Sequence, residues 1–389
     1  MSQTTDPVLD PATGRPVRQE RQPARETVDE VAPGVGRIQI PISIPGLGHV
    51  NCYVLEDERG VTLIDPGLPD PDSHADLIRK LDSIGVRPER IHSVLVTHSH
   101  PDHFGGAGRL RVEHHSEVIA HRSFSTPFDR PPDDDLEELD DNLVPEMPEG
   151  LEGPVNERLL TVLFGDGPIP EFRTRHMPWG GDGFRPGSGE AEHMRTWDDL
   201  TKRGLLSLTP TKRVDDQEYL RMGRRDWQVV HTPGHTGDHI CLLDPENGIL
   251  LSGDHVLPTI TPHISGLTPS PDSLAEFVDG LRKVAAIPDV SLVLPAHGLP
   301  FTDLVGRTDA IIEHHNERLQ LTMDIGRELG LATVAQYSQK LFQERSWGPM
   351  AESEAYAHLE HLRMIGDMDS RMGEDGLLRF RVSETAEIA

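Results

Sequence analysis

Cysteine is almost absent from this chain of 389 residues, which contains only Cys52 and Cys241. Two thiols cannot build a cysteine-rich zinc site and define no disulfide framework. Both lie in strand-like segments, where a free cysteine behaves as a small buried apolar residue. Aromatic residues make up 5% of the chain and hydrophobic residues 35%. That is low for a globular protein, so the apolar share must be concentrated in a few strands, with polar tails and insertions making up the balance. Positive charge is scarce as well. Lys and Arg total 37 against 65 acidic residues, giving a formal net charge of -28 and a pI near 5.1. Such an acidic excess favours solubility. It also speaks against tight nonspecific nucleic-acid binding, which relies on cations neutralising phosphates. One local cluster, Lys212, Arg213, Arg221, Arg224 and Arg225, could form a basic patch. No hydrophobic run approaches the length needed to span a bilayer, and residues 1–33 lack the apolar core of a signal peptide. A soluble, cytoplasmic protein is the expectation.

Histidine, by contrast, is plentiful, and its placement is the most informative feature of the chain. The run Thr97-His98-Ser99-His100-Pro101-Asp102-His103 follows the apolar stretch Val94-Leu95-Val96. Imidazole and carboxylate are the ligands of a borderline divalent metal such as zinc, and packing alone gives little reason to gather four such groups at a strand end. Three more candidates stand in the same setting. His235 follows Trp227-Gln228-Val229-Val230 in His-Thr-Pro-Gly-His, Asp254 follows Ile249-Leu250-Leu251 in Ser-Gly-Asp-His, and His297 follows Leu292-Val293-Leu294 in Pro-Ala-His-Gly.

The length favours two domains. Residues 1–34 are rich in Pro, Arg and Thr, without periodicity, and read as a flexible tail. Strand patterns occupy 37–40, 50–55, 61–64, 93–96 and 117–120, and a helical face recurs through Leu77, Ile78, Leu81 and Ile84. From about 122 to 215, acidic runs alternate with prolines around a glycine-rich piece at 179–184. This reads as a long insertion, either a solvated excursion or a wall of the substrate pocket. Strands alternating with polar loops resume near Gln217 and continue to His297. Beyond it the pattern turns helical, at 309–329, 333–342 and 353–365, and ends in an alternating strand at 377–382. Residues 306–389 therefore read as a small appended domain.

Alternate residues of an extended segment point the same way, so His98 and His100 can grip one metal. Asp102 and His103 lie past Pro101, where the chain turns into a helix, and can serve a second. One later histidine would complete each metal, and Asp254, with two carboxylate oxygens, could bridge both. A divalent ion lowers the pKa of bound water from about 15.7 toward roughly 7. A hydroxide held between two ions would then attack an ester, thioester, amide or phosphodiester, with the ions stabilising the charge that develops.

The set His98-Ser-His100-Pro-Asp102-His103, then His235, Asp254 and His297, together with Leu63-Ile64-Asp65-Pro66-Gly67, resembles the metallo-β-lactamase fold superfamily. The complete H-x-H-x-D-H pattern is most similar to its glyoxalase II and β-lactamase-like-2 types. The resemblance covers residues 35–303, interrupted by the insertion, in a domain expected to span 35–305. It implies an α/β fold, an αββα sandwich with the metals at one edge, followed by a small winged-helix-like helical domain. His98, His100 and His235 would bind one metal and Asp102, His103 and His297 the other, with Asp254 shared and Asp65 orienting the ligands. Asp102 and Asp254 are the candidate catalytic carboxylates. Two divalent ions are implied; zinc is the expected metal, although iron and manganese suit the same donors. The activity implied is a metal-dependent hydrolase using a metal-bridged hydroxide on a small-molecule carbonyl substrate, a thioester or an ester. A lactonase or a phosphodiesterase/endoribonuclease would use the same metals. No membrane partner is expected, nucleic acid is disfavoured, and the oligomeric state is open. The link between His103 and His235 is longer than the family usually has.

Lone histidines ordinarily sit on the surface or pack in the core, and His74, His92, His121, His176, His193, His314, His315, His358 and His361 are read so. His49, His255 and His263 flank the strand ends that carry the site and are candidates to reach substrate or ligands. Pro233-Gly234 fits a tight turn.

Overall fold

The structure, a computed structural model, describes residues 17–42, 44, 46–126, 177–180, 200, 203, 205–206 and 208–384. Two sheets lie face to face. The first has seven strands in chain order: β1 (Asp29–Ala32), β2 (Val35–Pro41), β3 (His49–Asp57), β4 (Gly60–Ile64), β5 (Ile91–Leu95), β6 (Glu117–His121) and β7 (Lys212–Val214). Its first four strands are antiparallel, and pairing becomes parallel from β4 to β7. The second sheet runs β12 (Leu292–Pro295), β11 (Ile249–Gly253), β10 (Ile240–Asp244), β9 (Arg225–His231), β8 (Tyr219–Met222).

Period-two alternation divides each strand between two cores. Tyr53, Leu55, Ile64, Leu95 and Ile119 meet Trp227, Val229, Leu242, Leu251 and Leu294 between the sheets. On the far side of the first sheet, Val61, Leu63, Val94 and Val118 pack on the helices Pro71–Ser83 and Ala107–His114 through Leu77, Leu81 and Leu110. On the far side of the second, Cys241, Leu243, Leu250 and Val293 meet Leu274, Phe277, Leu281 and Val284 of the helix Ser273–Ala285. Each such side chain contributes about 1.5–3 kcal/mol relative to exposure. This is the αββα sandwich expected, and both cysteines are free and buried in it.

Three readings need correction. Residues 17–34 are not a loose tail. Asp29–Ala32 is an edge strand on β2, and Glu20 is buried, accepting hydrogen bonds from the amides of Thr259 (2.7 Å) and Ile260 (3.0 Å) and from the Thr259 hydroxyl. Residues 1–16 lie outside the described residues. The stretch between Asp254 and His297, expected to be loop, contains the helix Ser273–Ala285, whose amide ladder is capped by the Asp272 carboxylate (Ala275 N, 2.9 Å). The excursion expected to last to about 215 includes β7, which pairs in parallel with β6. Most of that excursion, with His176 and His193, falls outside the described residues.

Beyond β12 come the helices Leu304–Leu329, Val334–Leu341 and Pro349–Met364. A three-stranded antiparallel sheet accompanies them, β13 (Ala332–Thr333), β15 (Leu378–Val382) and β14 (Met368–Met372). Their apolar faces share one core around Tyr337, Leu359 and Phe380, and Trp179 docks into it, donating to Glu352 (3.0 Å). Among the described residues, no helix is long and apolar enough to cross a membrane.

Candidate metal centre

At one end the two sheets are stitched together. Ile240 N donates to Thr97 O (2.9 Å) and Asn51 N to Ala296 O (2.7 Å), and the Tyr53 hydroxyl donates to Pro295 O (2.7 Å). Here β5 ends in the histidine run, β9 leads to His235, β11 to Asp254 and β12 to His297. The structure brings all seven predicted side chains together. His98, His100, His235 and Asp254 offer ligand atoms within 4.8 Å of one another, and Asp102, His103 and His297 form a second such group. Asp254 lies between them. Its Oδ2 is 3.5 Å from His235 Nε2, 3.6 Å from His103 Nε2 and 4.0 Å from His98 Nε2, while Oδ1 is 3.3 Å from His297 Nε2. Two nitrogens each 2.0–2.1 Å from a tetrahedral zinc stand about 3.3 Å apart, so this spacing suits ligands of a common ion.

The tautomers point the same way. His103 Nδ1 donates to Asp65 Oδ2 (2.8 Å), His235 Nδ1 to the His263 carbonyl (2.6 Å) and His297 Nδ1 to the His49 carbonyl (2.7 Å). The Thr97 hydroxyl gives its proton to Asp65 (2.7 Å), so it accepts from His98 Nδ1 (3.0 Å). Each anchored Nδ1–H leaves an Nε2 lone pair facing inward. Nε2 of His103, His235 and His297 and Oδ1 of Asp254 are buried and make no hydrogen bond. Buried polar atoms are ordinarily satisfied, and four orphans converging on one space are the signature of a cation site. The residues fit two divalent ions.

Charge follows from the same packing. Burial and neighbouring imidazoles press His98 and His100 well below the ordinary histidine value, which keeps them neutral and able to donate lone pairs. Burial would also lower His103 and His297, but the carboxylates around them, Asp102 and Asp254 for both, raise them instead. Burial would raise Asp254, but His297 and His103 hold it well below the usual carboxylate range.

Asp65 sits at φ 56°, with its carboxylate saturated by Thr97 N (2.8 Å), the Thr97 hydroxyl and His103. Aspartate tolerates this left-handed backbone better than most residues. One contributor escaped the sequence reading. His239 is wholly buried and donates from Nδ1 to the Thr232 hydroxyl (2.8 Å), while its Nε2 accepts the Asp254 amide (3.0 Å). It holds the backbone of Asp254, and its place four residues after His235 was the available signal. Gly253 makes this approach possible, because a Cβ there would come 2.5 Å from His239 Nε2. Of the flanking candidates, His49 and His263 serve through their carbonyls. His255 lies deeper, against Phe277 (ring centroids 4.9 Å apart), pushed down to about 3 by burial.

The fold agrees with known proteins. The family model of the metallo-beta-lactamase superfamily matches residues 45–297. The chain belongs to the metallo-beta-lactamase superfamily. It is a metal-dependent hydrolase of that superfamily. It is 25% identical over 318 residues to the probable metallo-hydrolase YqjP of Bacillus subtilis, covering 79% of this chain and 83% of that protein. It is 30% identical over 158 residues to the Beta-lactamase-like protein 2 homolog of Drosophila melanogaster, covering 39% of this chain and 50% of that one. In three dimensions it is similar to a metallo-beta-lactamase family protein of Thermus thermophilus, with a TM-score of 0.66 and 23% identity over 91% of this chain and 100% of the other. A beta-lactamase domain protein of Burkholderia ambifaria matches with a TM-score of 0.65 and 23% identity, covering 93% and 96%.

Proposed function

We propose that the protein is a dinuclear hydrolase of the glyoxalase II or β-lactamase-like-2 type that cleaves a small thioester or ester. The observation that carries the proposal is the group of buried, unpartnered Nε2 and carboxylate atoms around Asp254. His98, His100, His235 and Asp254 would hold one ion, and Asp102, His103 and His297, with Asp254 shared, the second. Two divalent ions, zinc by the chemistry of the donors, supply Lewis acidity and a water acidic enough to attack at neutral pH. The chain's own work is orientation. Asp65 and the carbonyls of His49 and His263 lock the ligand tautomers, and Asp102 and Asp254 place negative charge beside three inward-facing nitrogens. His100 is the one imidazole of the five that is not fully buried, so substrate reaches the centre from its side.

The thioester or ester preference rests on the resemblance of the motif set. A nucleic-acid substrate has less support, because four of the five residues of the local cationic cluster pair within the chain. Arg213 donates to the carbonyls of Arg122 and Phe124, and Arg221, Arg224 and Arg225 pair with Asp226, Glu58 and Asp244. The test is turnover of the zinc-loaded protein on an acyl thioester, an aryl ester, a lactone and a phosphodiester. Chelator-sensitive cleavage of the thioester or ester with the highest kcat/KM is expected. Turnover of the phosphodiester alone, or of none of the four, would overturn the proposal.

A further inference from the structure

The segment between Asp254 and the helix Ser273–Ala285 has no regular secondary structure to hold it, yet it carries the carbonyl that orients His235. A backbone acceptor can position a metal ligand only if it is itself held in place. Glu20 and Arg307 bind the first part of the segment, at 257–260, and the part around His263 is held from the C-terminal helix Pro349–Met364. Glu354 Oε2 lies 3.3 Å from Nδ1 of His263, the residue whose carbonyl takes the His235 proton. One residue before, the Ser353 hydroxyl accepts the Gly266 amide (3.0 Å). Two turns on, His361 Nδ1 lies 3.0 Å from both oxygens of Asp272. The loop is pressed so close that a Cβ on Gly266 would come 2.6 Å from the Tyr356 ring. The helix backbone at Glu354 is tied in turn, since His358 Nδ1 donates to its main-chain carbonyl (2.7 Å) and His358 Nε2 lies 3.1 Å from His315 Nδ1. Burial would raise the Glu354 carboxyl, but His263 and His358 hold it down to about 2, so it is an anion at neutral pH.

We propose that Glu354 is a positioning residue of the metal centre, fixing His263 and, through the His263 carbonyl, keeping His235 Nε2 turned toward the ion. This rests on the reading of the cluster as a metal centre. It gives the C-terminal helices a task at a site to which they contribute no ligand.

The test is zinc affinity of the full-length protein, measured by competition with a chromophoric chelator. Loss of such a supporting contact weakens metal binding about 10–100-fold, so Glu354→Ala is expected to weaken one of two zinc sites by that factor and to alter the cobalt(II) absorption spectrum. Glu354→Gln, which keeps an oxygen to accept from His263, is expected to stay within about threefold of the unaltered protein. His263→Ala retains the carbonyl but cuts the link, and should match Glu354→Ala; the double variant should lose no more than either single one. Glu360→Ala, on the same helix but paired with Arg363, should leave both sites unchanged. Should Glu354→Ala fail to fold, His263→Ala and Glu354→Gln carry the test. Unchanged zinc affinity in Glu354→Ala and His263→Ala, or losses that multiply in the double variant, would overturn this inference alone. An unaltered protein that binds no zinc would instead overturn the metal-centre reading.

Discussion

Asp65 is the residue whose replacement by asparagine tests the centre most sharply. The backbone stays comfortable, because asparagine also accepts φ 56°, and the volume is nearly unchanged. What changes is the hydrogen-bond inventory. The carboxylate accepts from Thr97 N, the Thr97 hydroxyl and His103 Nδ1 at 2.7–2.8 Å, all buried. A carboxamide has one accepting end and one donating end, so at least one buried donor must face an N–H. A hydrogen bond to a charged group contributes about 1.5–3 kcal/mol and an unsatisfied buried donor costs about 1–3 kcal/mol. The metal-free protein should therefore lose about 3–5 kcal/mol, read as a lower urea midpoint with unchanged slope. His103 has an escape, which is to move its proton from Nδ1 to Nε2. That nitrogen lies 3.6 Å from both Asp102 and Asp254 and faces the space an ion would take, so relief at Asp65 removes a ligand lone pair. Zinc affinity at that site should fall about 10–100-fold. If Asp65→Asn kept metal-free stability within about 0.5 kcal/mol and bound both ions as tightly as before, the tautomer-locking argument would be wrong.

Three further outcomes are expected. Asp254→Ala removes a side chain within 4.0 Å of ligand nitrogens in both groups, so metal analysis should find fewer than two ions and hydrolysis should fall to background; full turnover by this variant is incompatible with the assignment. In chelator-treated protein, burial holds His358 near 4 and His315 near 3 against an ordinary 6.5. The unfolded chain therefore binds more protons below 6.5, and the stability these residues contribute is present above that pH and lost as pH falls toward 4. His358 alone accounts for up to about 3 kcal/mol. His103 and His297, whose values are raised, act in the opposite sense, so the clean comparison is a His315→Gln/His358→Gln double variant, whose urea midpoints should vary less between pH 7 and 4.5; an equally steep profile would contradict the account. Glu20→Ala strips the acceptor from the Thr259 and Ile260 amides and the Thr259 hydroxyl and should cost about 2–4 kcal/mol; a urea midpoint unchanged from the unaltered protein would mean that the N-terminal segment is not structural.

Some of the fold was plain in the residues, and the misses have physical causes. The helix Ser273–Ala285 carried its signal, with Leu274, Phe277, Leu281 and Val284 on one face and Asp272 as a cap, but the strand patterns on either side of it mask that face in the sequence. The strands Asp29–Ala32, Lys212–Val214 and Met368–Met372 carried almost none. They are short, at sheet edges, and held by pairing with a neighbour more than by their own pattern, which is the context dependence expected of β-structure. Seven side chains of the site stood out because metal chemistry needs a few residue types in tight spacing after buried strands. His239 stood out less, since its one signal is a place four residues after His235.

The residues alone settled the chemistry on offer, namely imidazoles and carboxylates at four strand ends, because side-chain identity and alternation along a strand are local properties. Only the folded chain decided which nitrogen of His235 and His297 faces inward, since their anchors are the backbone carbonyls of His263 and His49, and a carbonyl has no letter in a sequence. The same is true of Glu20 and Glu354, which meet their partners across hundreds or tens of intervening residues through contacts that sheet packing and helix docking create and that no local pattern encodes.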